Sequence, residues 1–254
     1  MKQKTSITHP TRHGLARVLS KLGLTSRTQG AALVRAGRVR VNGHIVRDPE
    51  APTSIERDRI SIDGDAAVAQ EKVYIALNKP RGYVTTARDE HGRNTVYTLL
   101  QSENSVPVDV RWIAPVGRLD KASEGLLLFS NDSAWAARLT DPASHLDKTY
   151  HVQIDVLADK GLLARLRAGV VERGEHLALK SVRELRRGEK NSWLEIALDE
   201  GRNRQIRRVL AAFDIGVLRL VRVAIGTLEL GDLAKGRWRA LDADEVAQLQ
   251  PAAN

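Results

Sequence analysis

Asp120 is the side chain of this 254-residue sequence best placed to do chemistry. It stands between two cations, Arg118 and Lys121, in the stretch VGRLDKASEGLLLFSND at 116–132. An ordinary aspartate is an anion at neutral pH and can serve as nucleophile or base. Pro115 and Gly117 mark a turn before it. The apolar run 126–129 after Gly125 predicts a strand buried on both faces. A loop feeding a core strand can aim a reactive group. A turn-capping aspartate, or one paired with Arg118, would fit the same residues.

A second stretch, GRNRQIRRVLAAF at 201–213, adds cations. On a helix, Ile206, Val209, Leu210 and Phe213 form one apolar face. Arg204, Arg207 and Arg208 then share the opposite side, where they suit a phosphate or a carboxylate in need of orientation. Glu200 is placed to cap or pair with this cluster. A solvated helix surface has the same pattern.

The elements that must position these groups follow from composition and periodicity. The chain is 42% hydrophobic and 28% charged, as a globular core requires, and it has no cysteine. Disulfides and thiolate metal sites are thereby excluded. No apolar run reaches membrane-spanning length and the N-terminus lacks a signal-peptide core, which places the protein in the cytoplasm. Residues 1–60 carry twelve cations and four anions, so nearly all of the net charge of +9 lies there. A basic module ahead of a near-neutral body suits a polyanion, with nucleic acid the default partner.

Residues 1–13 read as a flexible basic tail. Leu15, Val18, Leu19 and Leu22 then fall at helical spacing, stopped by Gly23. Ser26 is a candidate N-cap for a second helix ending near Gly37. Val39 and Val41 alternate with arginines, and Asn42-Gly43 signals a hairpin returning through Ile45 and Val46. A short strand at 60–62 closes a module spanning 14–63, and 64–72 reads as a linker. A second domain spans 73–254. Its opening strand, 73–77, is broken by 78–82, and 83–86 is β-prone. Residues 87–110 read as loop with a short helix at 96–100. Further strands are expected at 149–156, 193–198, 217–223 and 227–230. Helices are expected at 134–139, 162–168 and 244–249. The fold class is α+β, a mixed and largely antiparallel sheet with helices outside, behind a small basic module.

GLARVLSKLGLTSRTQGAALVRAGRVRVNGHIVRDP, beginning at Gly14, resembles an S4 domain, a small RNA-binding module. The resemblance implies that Arg17, Ser26, Arg27, Arg38 and Arg40 face RNA, through phosphates and shape. Four later stretches resemble the RsuA-type branch of the pseudouridine synthases: LNKPRGYVTT at 77–86, the Asp120 segment, KTYHVQI at 148–154 and EGRNRQIRRVLAAF at 200–213. LVRVAIGTLEL at 220–230 and the closing GRWRAL also fit.

That resemblance implies isomerisation of a uridine in ribosomal RNA, without metal or organic cofactor. The bond from C1′ to N1 breaks, the held base rotates, and C5 joins C1′. Asp120 matches the catalytic aspartate, and Tyr150 the active-site tyrosine that stacks on the base. Arg207 matches the arginine that pairs with the aspartate. Arg118 would bind phosphate or fill the gap left by the flipped base. Lys79, Arg81, Lys148, Arg202, Arg204 and Arg208 are expected phosphate contacts. Ala122, Ser123 and Glu124, and Phe213, Asp214 and Ile215, depart from the usual family pattern; they bear on the target, not the chemistry. Details such as ARLTDP lean toward the large-subunit members. The expected partner is rRNA or an assembling ribosomal particle, and the expected state a monomer. The competing class is a non-catalytic RNA-binding or assembly factor on the same scaffold.

Overall fold

The computed structural model describes residues 11–86, 92–101 and 112–249. Most of the expected tail, residues 1–10, and most of the loop expected at 87–110 lie outside them. The chain divides into two compact units, the first holding the described residues up to Val73 together with 112–114 and 131–134, the second the remaining described residues.

The first unit is a helix pair on a small sheet. Helix α1 (Leu15–Lys21) buries Leu15, Val18 and Leu19 against Val34, Val39 and Ile60. Ser26 starts α2 (Arg27–Arg35): its hydroxyl accepts from the Gln29 amide, and the Gln29 side chain accepts from the Ser26 amide, both at 3.1 Å. Such a reciprocal cap is worth about 1 kcal/mol. Strands β1 (Val39–Val41) and β2 (His44–Ile45) join through Asn42 and Gly43, both at positive φ, as a tight two-residue turn requires. β1 also pairs with β3 (Ile60–Ile62). Two expectations change here. The stretch 64–72 is more than a linker: Asp65–Ala66 form β4, which pairs with β3 and lengthens the sheet to four strands. His13, counted with the tail, joins Gly14 in pairing with Pro52–Thr53.

The second unit is built on a nine-stranded sheet. Its strands, in chain order, are β5 (Tyr74–Lys79), β6 (Glu124–Ser130), β7 (Lys148–Ile154), β10 (Ser181–Arg187), β11 (Ser192–Leu198), β12 (Val217–Ile225) and β13 (Trp238–Ala240), with two short strands at its margin. Strands β8 (Val170–Glu172) and β9 (Glu175–Leu177) form a separate hairpin. In space the order is β10-β11-β7-β12-β6-β5-β13. Every neighbouring pair on this path is antiparallel except β12 with β6. Helices α3 (Val96–Leu100), α4 (Ser133–Thr140), α5 (Lys160–Ala168), α6 (Gln205–Ala211) and α7 (Ala243–Gln248) complete the unit. Among the described residues, no helix is long and apolar enough to cross a membrane.

The core is in two parts. One gathers Val152, Leu166, Leu194, Ile196, Val209 and Leu210 between α5, α6 and the β7–β11 side of the sheet. The other gathers Ala76, Leu126, Leu128, Trp135, Leu139 and Leu249 around β5 and β6. β6 is buried along its whole length, as its apolar run requires. The two halves meet where β12 lies parallel to β6, in register only at Val221 with Glu124 and Arg222 with Gly125. Gly125 has φ +98°, and a Cβ there would overlap the Arg222 carbonyl oxygen. Only glycine allows this approach.

Three local expectations also change. Asn78 and Lys79 do not break the first strand but continue it, with Lys79 opposite Gly125. Residues 83–86 make only a single bridge, Val84 with Thr95. The β8–β9 hairpin and β10 were not anticipated; their exposed, charged residues carry a weak strand signal.

Candidate active site

Asp120 lies on the loop that precedes β6, with its side chain 42% exposed. The loop is held through its own carbonyl groups. Thr85 Oγ1 donates to Leu119 O at 2.7 Å. Lys79 Nζ donates to Asp120 O at 3.0 Å and to Ser123 O at 2.7 Å. The Gly82 amide donates to Lys121 O at 2.8 Å, and Arg207 Nη2 to Ala122 O at 3.3 Å. Five successive carbonyls therefore have donors from outside the loop, which fixes where Asp120 stands.

Lys79 is completely buried. Burial lowers its pKa from 10.5 to about 8, against the opposing pull of the Asp120 and Glu124 charges. It spends its ammonium on three carbonyls, Pro80 O being the third at 3.2 Å. The expected phosphate contact at Lys79 is thus corrected: a lysine in a strand paired on both sides, with no access to solvent, is a strut for the loop.

A cleft of about 620 Å³ opens beside Asp120. Among its lining residues are Arg118, Lys148, Tyr150, Arg204, Arg207 and Arg222. Tyr150 is on β7, opposite Arg222 of β12. Reading across β5, β6, β12 and β7, the register sets Lys79, Gly125, Arg222 and Tyr150 in one row on one face.

The arginine nearest the Asp120 carboxylate is not the expected one. Arg204 Nη1 lies 3.4 Å from Asp120 Oδ2. Arg204 precedes α6 in a left-handed conformation, φ 51°, so it leaves the helix surface on which periodicity placed it. Arg207 is half-buried and reaches the loop backbone at Ala122 instead. Burial lowers its pKa, with the Arg204 charge acting the same way; Asp120 opposes, and Arg81 adds to the lowering. Arg81, Arg204, Arg207 and Asp120 are therefore close enough to feel one another.

The remaining candidates separate clearly. Arg202 pairs with Glu175 and Glu200, and Arg208 with Glu172 and Glu175. Their expected phosphate roles are corrected: the unforeseen β8–β9 hairpin supplies carboxylates that occupy both. Glu200 also accepts from Gln205. Lys148 lines the cleft, its pKa lowered by burial and by the Arg222 charge. Arg81 and Arg118 are exposed. In the first unit Arg17 and Arg27 are exposed, whereas Arg38 pairs with Asp63 at 2.5 Å and Arg40 donates to Gly43 O. Ser26 spends its hydroxyl on the α2 cap.

Sequence reasoning missed two residues. Glu124, buried beneath the loop, is held by Arg219 at 3.0 Å and Lys235 at 2.5 Å. Burial alone would raise its pKa, but these two partners together lower it. Arg222 is 6% exposed, in a strand that reads as ordinary alternation. No local signal marks either one.

Residues 73–212 match the family described as RNA pseudouridylate synthase, and residues 14–54 match the S4 domain. The chain is 38% identical, over 91% of its length and 91% of the relative's, to an uncharacterized RNA pseudouridine synthase of Aquifex aeolicus. It is 33% identical, over 94% and 96%, to the ribosomal large subunit pseudouridine synthase B of Bacillus subtilis. A crystal structure of a pseudouridylate synthase superposes with a TM-score of 0.63 at 30% identity, covering 94% of this chain and 99% of that one.

Proposed function

The chain belongs to the RNA pseudouridylate synthase family, and we propose that it isomerises one uridine of large-subunit ribosomal RNA, with Asp120 as its acting carboxylate. The reaction class, an intramolecular isomerisation, comes with the family. One observation carries the assignment of Asp120. It lines the cleft together with Tyr150 and the cations, its carboxylate meets Arg204, and its loop is anchored at five consecutive carbonyls. A nucleophile held this way loses little entropy when the substrate arrives.

In this reading the target base is flipped into the cleft. Asp120 takes up the sugar side of the reaction, as nucleophile at C1′ or as base at the sugar. Tyr150 supports the ring of the detached base, Arg204 orients the carboxylate, and Arg207 holds its loop at Ala122 O. Arg81 and Arg118 take backbone phosphates beside the cleft. Capture of the folded RNA falls to Arg17 and Arg27 of the N-terminal module. The protein acts as a monomer in the cytoplasm, on rRNA or an assembling particle. The large-subunit target is supported by the Bacillus subtilis relative, whose name states that substrate.

Mapping pseudouridines in rRNA from cells with and without the protein tests this. One large-subunit position should lose its pseudouridine, and a plasmid copy carrying Asp120→Asn should not restore it. Loss at a small-subunit position instead would refute the target. Restoration by the Asn variant would refute the role of Asp120.

A further inference from the structure

Arg222 is a buried cation without an anion. Its residue is 6% exposed, its Nε donates to Leu126 O at 2.7 Å, and its Nη2 has no partner among the described residues. No carboxylate among those residues pairs with it. Buried charges are ordinarily paired, because an isolated one costs several kcal/mol of lost hydration. This one lines the cleft. It stands in the row Lys79, Gly125, Arg222, Tyr150, so a bare glycine separates it from a second buried cation and a tyrosine flanks it on the other side. Lys148, two residues before Tyr150 on the same strand, adds a third positive charge within electrostatic range. Glu124, the buried carboxylate beside Gly125 in sequence, is already taken by Arg219 and Lys235. The cleft floor is thus electropositive and short of one anion.

We propose that Arg222 is a catalytic residue that stabilises the negative charge on the detached uracil. This rests on the isomerase reading of the cleft and deepens it. When the C1′–N1 bond breaks, its electron pair goes to N1. The base becomes a uracil anion, its charge shared among N1, O2 and O4. The sugar carbon is satisfied either by a C1′–O bond to Asp120 or by loss of a sugar proton to Asp120. After rotation, C5 attacks C1′ and consumes the anion's charge, displacing Asp120 or, in the other case, with Asp120 returning its proton to the sugar carbon; the C5 proton then leaves, N1 gains a proton, and Asp120 is again a carboxylate. The intermediate anion is the only new negative charge on the base side, and Asp120 cannot help it. A preorganised guanidinium that is itself buried at the cleft can. Its planar fork suits a carbonyl oxygen of a ring stacked on Tyr150.

The test compares leaving groups. Fluorine at C5 makes the uracil anion less basic, so bond cleavage then needs less help from a cation. Wild type, Arg222→Gln and Arg222→Lys are assayed under single turnover on whichever rRNA transcript the wild type modifies, made with uridine or with 5-fluorouridine. Because the fluorinated base has no C5 proton to lose, consumption of the target nucleotide, and not formation of pseudouridine, is followed by chromatography of the digested RNA, and RNA affinity is measured alongside. Arg222→Gln should bind RNA within about two-fold of wild type yet react about 100-fold more slowly, a deficit that narrows at least ten-fold on the fluorinated RNA. Arg222→Lys should recover part of the rate. Equal deficits on the two RNAs, or a Gln variant within three-fold of wild type, would overturn the assignment. Should Arg222→Gln not fold, the same comparison on Arg222→Lys decides: its smaller deficit must also narrow. A wild type that modifies only small-subunit RNA would refute the large-subunit target and leave this comparison intact.

Discussion

The ammonium of Lys79 donates to the backbone carbonyl of Asp120, at 3.0 Å, and not to its carboxylate. The contact fixes the loop while leaving the reactive oxygens to the cleft. Because the amine is buried, its pKa falls from 10.5 to about 8. In the unfolded chain it keeps its proton up to about pH 10.4. Between those values the unfolded state binds more protons, so this group's contribution to stability rises with pH from about 8 to 10.5. The rise should amount to at most about 3 kcal/mol. Denaturant titrations across that window should show it in wild type and not in Lys79→Met. The Met variant should also react about ten- to 100-fold more slowly, since a loop displaced by even ~1 Å misplaces the carboxylate. An identical pH slope in the two proteins would contradict the buried charge.

Asp120→Asn should leave the fold intact, because the side chain is 42% exposed and its one ion pair is with an exposed arginine. Melting temperature and RNA affinity should stay close to wild type. Turnover should fall by about 10³-fold or more, since an amide is neither nucleophile nor base at neutral pH. Product formation at the wild-type rate would remove Asp120 from the chemistry.

Arg204 and Arg207 should separate by phenotype. Arg204 touches the Asp120 carboxylate from an exposed position, so Arg204→Met should cost less than about 1 kcal/mol of stability. Its rate should nonetheless drop about tenfold through poorer orientation of the carboxylate. Arg207 is half-buried and holds Ala122 O, so Arg207→Met should lose about 1–2 kcal/mol of stability as well as activity. Chemical denaturation and single-turnover rates on the same preparations test both. Two variants with equal stability loss would refute the division of labour.

Removing residues 1–73 takes away most of the first unit. RNA affinity should fall, and the dependence of log affinity on log salt should flatten, because released counterions scale with phosphate contacts. Filter binding from low to moderate salt measures the slope. An unchanged slope would mean that the excess charge of residues 1–60 does not meet RNA.

Much of this molecule is readable residue by residue. The α1 periodicity, the Ser26–Gln29 cap, the Asn42-Gly43 turn and the buried strand after Gly125 are local patterns, and local physics decides them. The readings that changed depend on partners far away in sequence. Lys79 looks like a surface cation in LNKPRG until the Asp120 loop closes over it. Arg202 and Arg208 look free until the β8–β9 hairpin delivers Glu172 and Glu175. Arg204 belongs to the helix by periodicity, but a left-handed backbone turns it toward Asp120. Arg222 gives no hint, since a cation in an alternating strand normally points to water.

The narrow parallel join at Gly125 has one more implication. Asp120 hangs from one half of the sheet; Tyr150, Arg207 and Arg222 hang from the other. Two residue pairs align the backbones of those halves, side chains such as Arg219 on Glu124 and Arg222 on Leu126 O tie them further, and a single missing methyl lets them close. The spacing between sugar-handling and base-handling groups is therefore calibrated at one backbone crossing. An alanine at 125 would pry the acid away from its counterparts without altering any side chain that meets RNA.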